Sequence, residues 1–216
     1  MRFKAVIFDL DGTLLNTLDD LADSTNYVLE EYGCPIHDTE AYRYFIGDGF
    51  KKLIERTLPD DRRDASIVHE AVARLEVIYG ESWAVKTKPY RGIPQLLDRI
   101  AEHDLKMVVL SNKPDGPAKQ VVAHFFRQWN FEIVLGSRPA IPNKPDPTTA
   151  VEISRTLDIP PEEFLFLGDT GIDMQTAVAA NMYAIGVLWG FRGADELIEN
   201  GAQLLVRHPG DLMFWL

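Results

Sequence analysis

Four short runs of uninterrupted apolar residues punctuate the chain, at residues 5–8, 107–110, 164–167 and 184–188. Runs of this length without polar alternation read as strands buried on both faces. Between them the apolar positions change to helical spacing, as in residues 117–126, with Val121, Val122, Phe125 and Phe126, and residues 148–157, with Ala150, Val151, Ile153 and Leu157. Strand and helix therefore alternate, and the fold class expected is α/β, a doubly wound parallel sheet with helices on both faces.

Residues 16–85 break the alternation. Leu18, Leu21, Ala22, Val28, Leu29 and Tyr32 form one helical stripe, Phe50, Leu53, Ile54 and Leu58 a second, and Ile67, Val68, Ala71, Leu75 and Ile78 a third, with no strand between them. The expected organisation is a catalytic core from residues 1–15 and 86–216, interrupted by a small all-helical insert at 16–85. Pro89, Gly92 and Pro94 punctuate the return to the core.

Composition narrows the partners. The chain has 216 residues, 46% apolar and 25% charged, which suits a folded globular body and excludes disordered or fibrous classes. Its net charge of -11 argues against nucleic acid and anionic membrane surfaces, both of which are gripped by clustered Lys and Arg. Any phosphate chemistry must then be organised by local cations, meaning a bound metal and one or two lysines. The lone cysteine, Cys34, cannot form an intrachain disulfide. With no signal-like or membrane-spanning run, a cytoplasmic location is expected.

Three apolar runs end in polar residues: Asp9-Leu10-Asp11-Gly12-Thr13, Ser111-Asn112-Lys113 and Gly168-Asp169-Thr170. Ligands of open parallel sheets bind outside the carboxyl ends of the strands, so these segments can converge. Asp9 and Asp11, one residue apart, can divide nucleophilic and proton-transfer work. Gly12 permits a tight turn that the Thr13 hydroxyl can hold. Asp169 and Asp173 fall near a helix start, where Asp173 can serve as a cap, and with Asp9 they can offer oxygen ligands to magnesium. Ser111 and Asn112 open a loop before a helix, suited to phosphate oxygens, and Lys144 is held extended between prolines.

This ordered set, Asp-x-Asp-Gly-Thr, Ser-Asn, Lys-Pro and Gly-Asp-Thr-x-x-Asp, resembles the haloacid dehalogenase superfamily of phosphotransferases across the whole chain. The helical insert looks like the cap of the subgroup containing phosphoglycolate phosphatase and beta-phosphoglucomutase, and residues 43–49 with Leu53 are similar to a phosphoglycolate phosphatase cap loop. The resemblance implies that Asp9 attacks phosphorus and Asp11 acts as acid and then base. It implies Mg2+ held by Asp9, the Asp11 carbonyl, Asp169 and Asp173. Thr13, Ser111, Asn112, Lys144, Gly47 and Gly49 are implied to bind the phosphorylated substrate.

Asp11 disfavours a dehalogenase, and the absence of histidine from residues 16–26 disfavours a sugar phosphomutase. Asn16 stands where many relatives carry an acid. The expected function is magnesium-dependent hydrolysis of a small phosphorylated metabolite, 2-phosphoglycolate first, with sugar phosphates, nucleotides and pyrophosphate as alternatives. An aspartyl-phosphate receiver is the competing class; receivers are shorter and lack a helical insert, and Asp11 would hasten loss of the phosphoryl group. Oligomeric state is unreadable from the sequence.

Overall fold

The computed structural model describes residues 3–213. Along the chain, β1 (Ala5–Phe8) leads through a tight turn to the two-residue strand β2 (Leu15–Asn16). Four helices follow: α1 (Leu18–Glu31), α2 (Tyr42–Phe45), α3 (Phe50–Thr57) and α4 (Ala65–Ser82). The short strand β3 (Lys88–Pro89) opens the alternating portion, α5 (Ile93–Glu102), β4 (Lys106–Pro114), α6 (Asp115–Phe125), β5 (Phe131–Ser137), α7 (Thr148–Leu157), β6 (Phe164–Gly168), α8 (Gly171–Ala179), β7 (Tyr183–Val187), α9 (Ala194–Glu199), β8 (Leu204–Val206) and α10 (Pro209–Leu212). Two compact units result, residues 1–15 with 89–216, and residues 16–88.

The first unit is built on six parallel strands in the order β5-β4-β1-β6-β7-β8. β1 lies between β4 and β6, the point at which the winding of an open sheet reverses and a crevice forms at the carboxyl ends. All four β1 residues are buried because successive side chains point to opposite faces and both faces are covered. Ala5 and Ile7 pack with Ala150 and Ile153 of α7 and with Met174 and Ala177 of α8.

Two strands escape the apolar-run pattern. β5 is an edge strand whose residues are mostly half-buried, and β8, at the other edge, is three residues long. A further difference is that Ser111, Asn112 and Lys113 do not open a loop: they continue β4 to Pro114, past a register shift after Leu110. The continuation keeps their side chains buried.

In the helical unit, α1 buries Leu18, Leu21, Ala22, Val28 and Leu29, while Tyr32 is its half-exposed C-cap. α4 buries Val68, Ala71, Leu75 and Tyr79; Tyr79 takes the place expected for Ile78, which is half-exposed like Ile67. Asn26 ties the loop after α1, its side chain donating to the His37 carbonyl at 2.9 Å and accepting from the His37 N–H at 3.0 Å. Buried Asp20 accepts from the backbone N–H groups of Lys86 (2.9 and 3.0 Å) and Thr87 (2.8 Å). Those bonds hold residues 86 and 87 to the helical unit, which spans residues 16–88.

Candidate active site

Asp9 extends β1 by one residue, its N–H donating to the Leu167 carbonyl at 2.9 Å, and so its carboxylate stands at the carboxyl end of the sheet. The chain then turns sharply, with Gly12 N–H donating to Leu15 O at 2.8 Å. Gly12 has φ 92°, and a Cβ there would overlap the Asp169 carboxylate. Glycine is thus required twice, for the left-handed backbone and for the close approach of the acid.

Asp9, Asp169 and Asp173 are all buried, and one oxygen from each lies within 4.8 Å of the others. Lys144 Nζ sits among them, 2.8 Å from Asp9 Oδ1 and 2.6 Å from Asp173 Oδ1. Lys144 is itself fixed by Asn112, whose side chain donates to the Lys144 carbonyl at 3.0 Å and accepts from its N–H at 2.9 Å. Asp173 performs two tasks: Oδ1 meets the lysine, while Oδ2 accepts from Thr170 N–H (3.1 Å) and Oγ1 (2.7 Å) in the capping box that starts α8.

Electrostatics make this cluster short of positive charge. Burial pushes the Asp9 carboxyl up to about 7; Lys144 opposes the rise and Asp173 and Asp11 add to it. Burial, then the charges of Asp9 and Asp173, hold Asp169 well above the usual carboxylate range, against donors from Phe191 N–H and Thr13 Oγ1. Burial lowers the Lys144 pKa, yet Asp173 and Asp9 outweigh it and the ammonium stays above the ordinary lysine range. Once ionised, three carboxylates facing one ammonium would leave two negative charges uncompensated, and all the donors are hard oxygens. That set fits a divalent hard cation such as Mg2+ and lacks the nitrogen or sulfur ligands that zinc favours.

Residues 6–187 match the model of the haloacid dehalogenase-like hydrolase family. The chain belongs to this family. It is 30% identical over 202 residues to the phosphoglycolate phosphatase of Thiobacillus denitrificans, covering 92% of this chain and 89% of the relative. The phosphoglycolate phosphatase of Chromobacterium violaceum is 30% identical over 214 residues, covering 98% and 95% of the two chains. A crystal structure from Lactobacillus delbrueckii subsp. bulgaricus is 29% identical and superposes with a TM-score of 0.92, covering 99% of this chain and 98% of that one.

In this dehalogenase-like core, Asp9, Asp169, Asp173 and Lys144 are brought into one cluster. Asp11 joins it at one remove: its carboxylate pairs with Lys113 Nζ at 3.0 and 3.1 Å. Ser111 Oγ is buried and accepts from Lys113 N–H at 3.2 Å. Thr13 is fully buried with its hydroxyl donating to Asp169 Oδ1 at 3.0 Å, and so steadies an acid of the cluster. The Asn112 side chain likewise serves the Lys144 backbone. Gly47 and Gly49 belong to the helical unit, where their φ values of 127° and 84° shape the turn from α2 into α3.

Two further contributors lie outside the expected set. Lys113 was visible as a residue but not as a partner of Asp11, because nothing in a sequence separates a buried lysine from a solvated one. The loop after β7 is the second. There Trp189 Nε1–H donates to the Thr13 carbonyl at 2.9 Å and Phe191 N–H donates to Asp169 Oδ2 at 2.8 Å. A Cβ on Gly190 between them would overlap both Asp169 and the Gly12 carbonyl. The Trp-Gly pair after an apolar strand was the available signal.

Proposed function

We propose that this hydrolase cleaves small phosphomonoesters, with 2-phosphoglycolate as its main substrate, through a phospho-aspartyl intermediate on Asp9. Phosphatase activity rests on the family and on relatives that are phosphoglycolate phosphatases. The observation that carries the mechanism is the cluster of Asp9, Asp169 and Asp173 around Lys144.

An Asp9 oxygen attacks phosphorus and the bond to the ester oxygen breaks, Asp11 giving that oxygen a proton. Water then adds to phosphorus, Asp11 takes its proton, and the Asp9–phosphorus linkage breaks to release phosphate. Lys144, the Ser111 hydroxyl and the Asn112 main chain hold the phosphoryl oxygens through transfer. Asp9, Asp169, Asp173 and the Asp11 carbonyl would hold Mg2+, which supplies positive charge against the transferring group. Gly47 and Gly49 keep an assignment to substrate binding through the likeness of residues 43–49 to a cap loop. The location proposed is the cytoplasm; among the described residues no helix is long and apolar enough to cross a membrane.

The test is phosphate release with and without magnesium over 2-phosphoglycolate, sugar phosphates, nucleotides and pyrophosphate, with rapid-quench mass spectrometry of the Asp9 peptide. Magnesium-dependent turnover led by 2-phosphoglycolate and transient phosphorylation of Asp9 are expected. Preference for pyrophosphate or nucleotides would overturn the substrate, and silence on every monoester would overturn the activity.

A further inference from the structure

Lys113 is a buried cation that the phosphoryl chemistry leaves unassigned. Its side chain has no exposed surface, and its Nζ lies 3.0 and 3.1 Å from the two Asp11 oxygens. We infer that Lys113 recognises a carboxylate on the leaving group, making the enzyme selective for phosphomonoesters of hydroxy acids. The inference rests on the proposed hydrolysis with Asp11 as proton donor and deepens it by naming the residue that selects the substrate.

Reach comes first. A proton donor works within about 3 Å of the atom it protonates, so the Lys113 ammonium stands within about 6 Å of the ester oxygen. In a 2-hydroxy acid ester one carbon separates that oxygen from the carboxylate, whose oxygens extend about 3 Å toward the ammonium on standard bond lengths. Both ends of a phosphoglycolate-like substrate can be held at once.

Charge is the second consideration. A full charge gains its advantage when a second anion arrives, because a charge-assisted bond in a desolvated setting is roughly twice as strong as a neutral one. Leaving groups that carry only hydroxyls offer Lys113 no such partner.

The test compares kcat/KM for 2-phosphoglycolate and for 2-hydroxyethyl phosphate, which replaces the carboxylate by a hydroxyl at the same length. Wild type is expected to prefer phosphoglycolate by about 10- to 100-fold, the range a hydrogen bond to a charged group contributes. In Lys113→Gln the preference should fall close to unity, while Lys113→Arg keeps most of it. A residue that merely positions Asp11 would slow both esters alike and leave their ratio intact, and that result overturns the inference alone. A wild-type enzyme without the preference overturns both the inference and the phosphoglycolate assignment. Calorimetric binding of 3-phosphonopropionate against 3-hydroxypropylphosphonate reads the same ratio if Lys113→Gln turns over too slowly; an undiminished ratio there is equally fatal.

Discussion

The Thr13 hydroxyl donates to Asp169 Oδ1 at 3.0 Å, joining the turn after β1 to the end of β6. Thr13→Val keeps the shape and removes this donor, leaving Asp169 with the Phe191 N–H at 2.8 Å. Partners of this kind orient a metal-binding carboxylate. The magnesium concentration for half-maximal activation should rise by about fivefold, corresponding to roughly 1 kcal/mol, the usual contribution of one hydrogen bond. An unchanged activation curve would show that the bond is incidental.

Asp9→Asn preserves volume and replaces the oxygen proposed to attack phosphorus by an amide. Turnover should fall by at least about 10³-fold while the far-UV circular dichroism spectrum stays that of wild type. Intact mass must establish that the sample has not deamidated back to aspartate, and wild-type rates from such a sample would remove Asp9 from the attacking role.

The Asp9 carboxyl has its folded pKa raised from 3.8 to about 7. In the metal-free protein this group takes up its proton more readily when folded than when unfolded. Its contribution is therefore fully present below about pH 4 and is lost as pH rises toward 7. Mg2+ competes with that proton, so the stabilisation magnesium gives over EDTA should grow from pH 5 to pH 8. Denaturant titrations with magnesium and with EDTA, at each pH, measure the difference; a flat or falling difference contradicts it.

Gly190→Ala inserts a methyl group against Asp169 and the Gly12 carbonyl, both fixed parts of the site. The loop must then shift and take the Phe191 donor with it. We expect weaker magnesium binding by calorimetry and a melting temperature lowered by several degrees, consistent with overpacking costs of about 1–3 kcal/mol. Normal magnesium affinity would mean that the loop has room the close approach denies.

Within the helical unit, Asp20→Ala removes the acceptor of the Lys86 and Thr87 N–H groups. Asp20 is 3% exposed and Thr87 7%, so the loss falls on one buried donor, that of Thr87, and should cost about 1–3 kcal/mol in urea denaturation. Asp20→Asn, which keeps one acceptor oxygen, should lose less. Equal stability of all three proteins would deny the bonds any weight.

The parts legible in the sequence are those where burial is two-sided or chemistry is local. β1 and β6 announce themselves because every residue in them is buried, and Thr170 and Asp173 form the cap that their spacing suggested. β5 stayed hidden because an edge strand in half-exposed surroundings needs no apolar run. Ser111 to Lys113 looked like a loop because polar side chains seldom fill a buried strand; here their partners Asp11 and Lys144 are remote in sequence. The Trp189 and Phe191 bonds are invisible for the same reason, since one runs from a side chain to a carbonyl 176 residues earlier and the other from a backbone amide.

The placement of β1 between β4 and β6 has a consequence for biosynthesis. Ala5 pairs with Lys106 on one side and Phe164 on the other, so β1 leaves the ribosome well before either of the strands that complete it. The helices of residues 16–88 emerge in the interval. Asp9 is thus translated well before it can be seated, and a nascent chain halted before residue 164 carries it on an uncovered sheet edge.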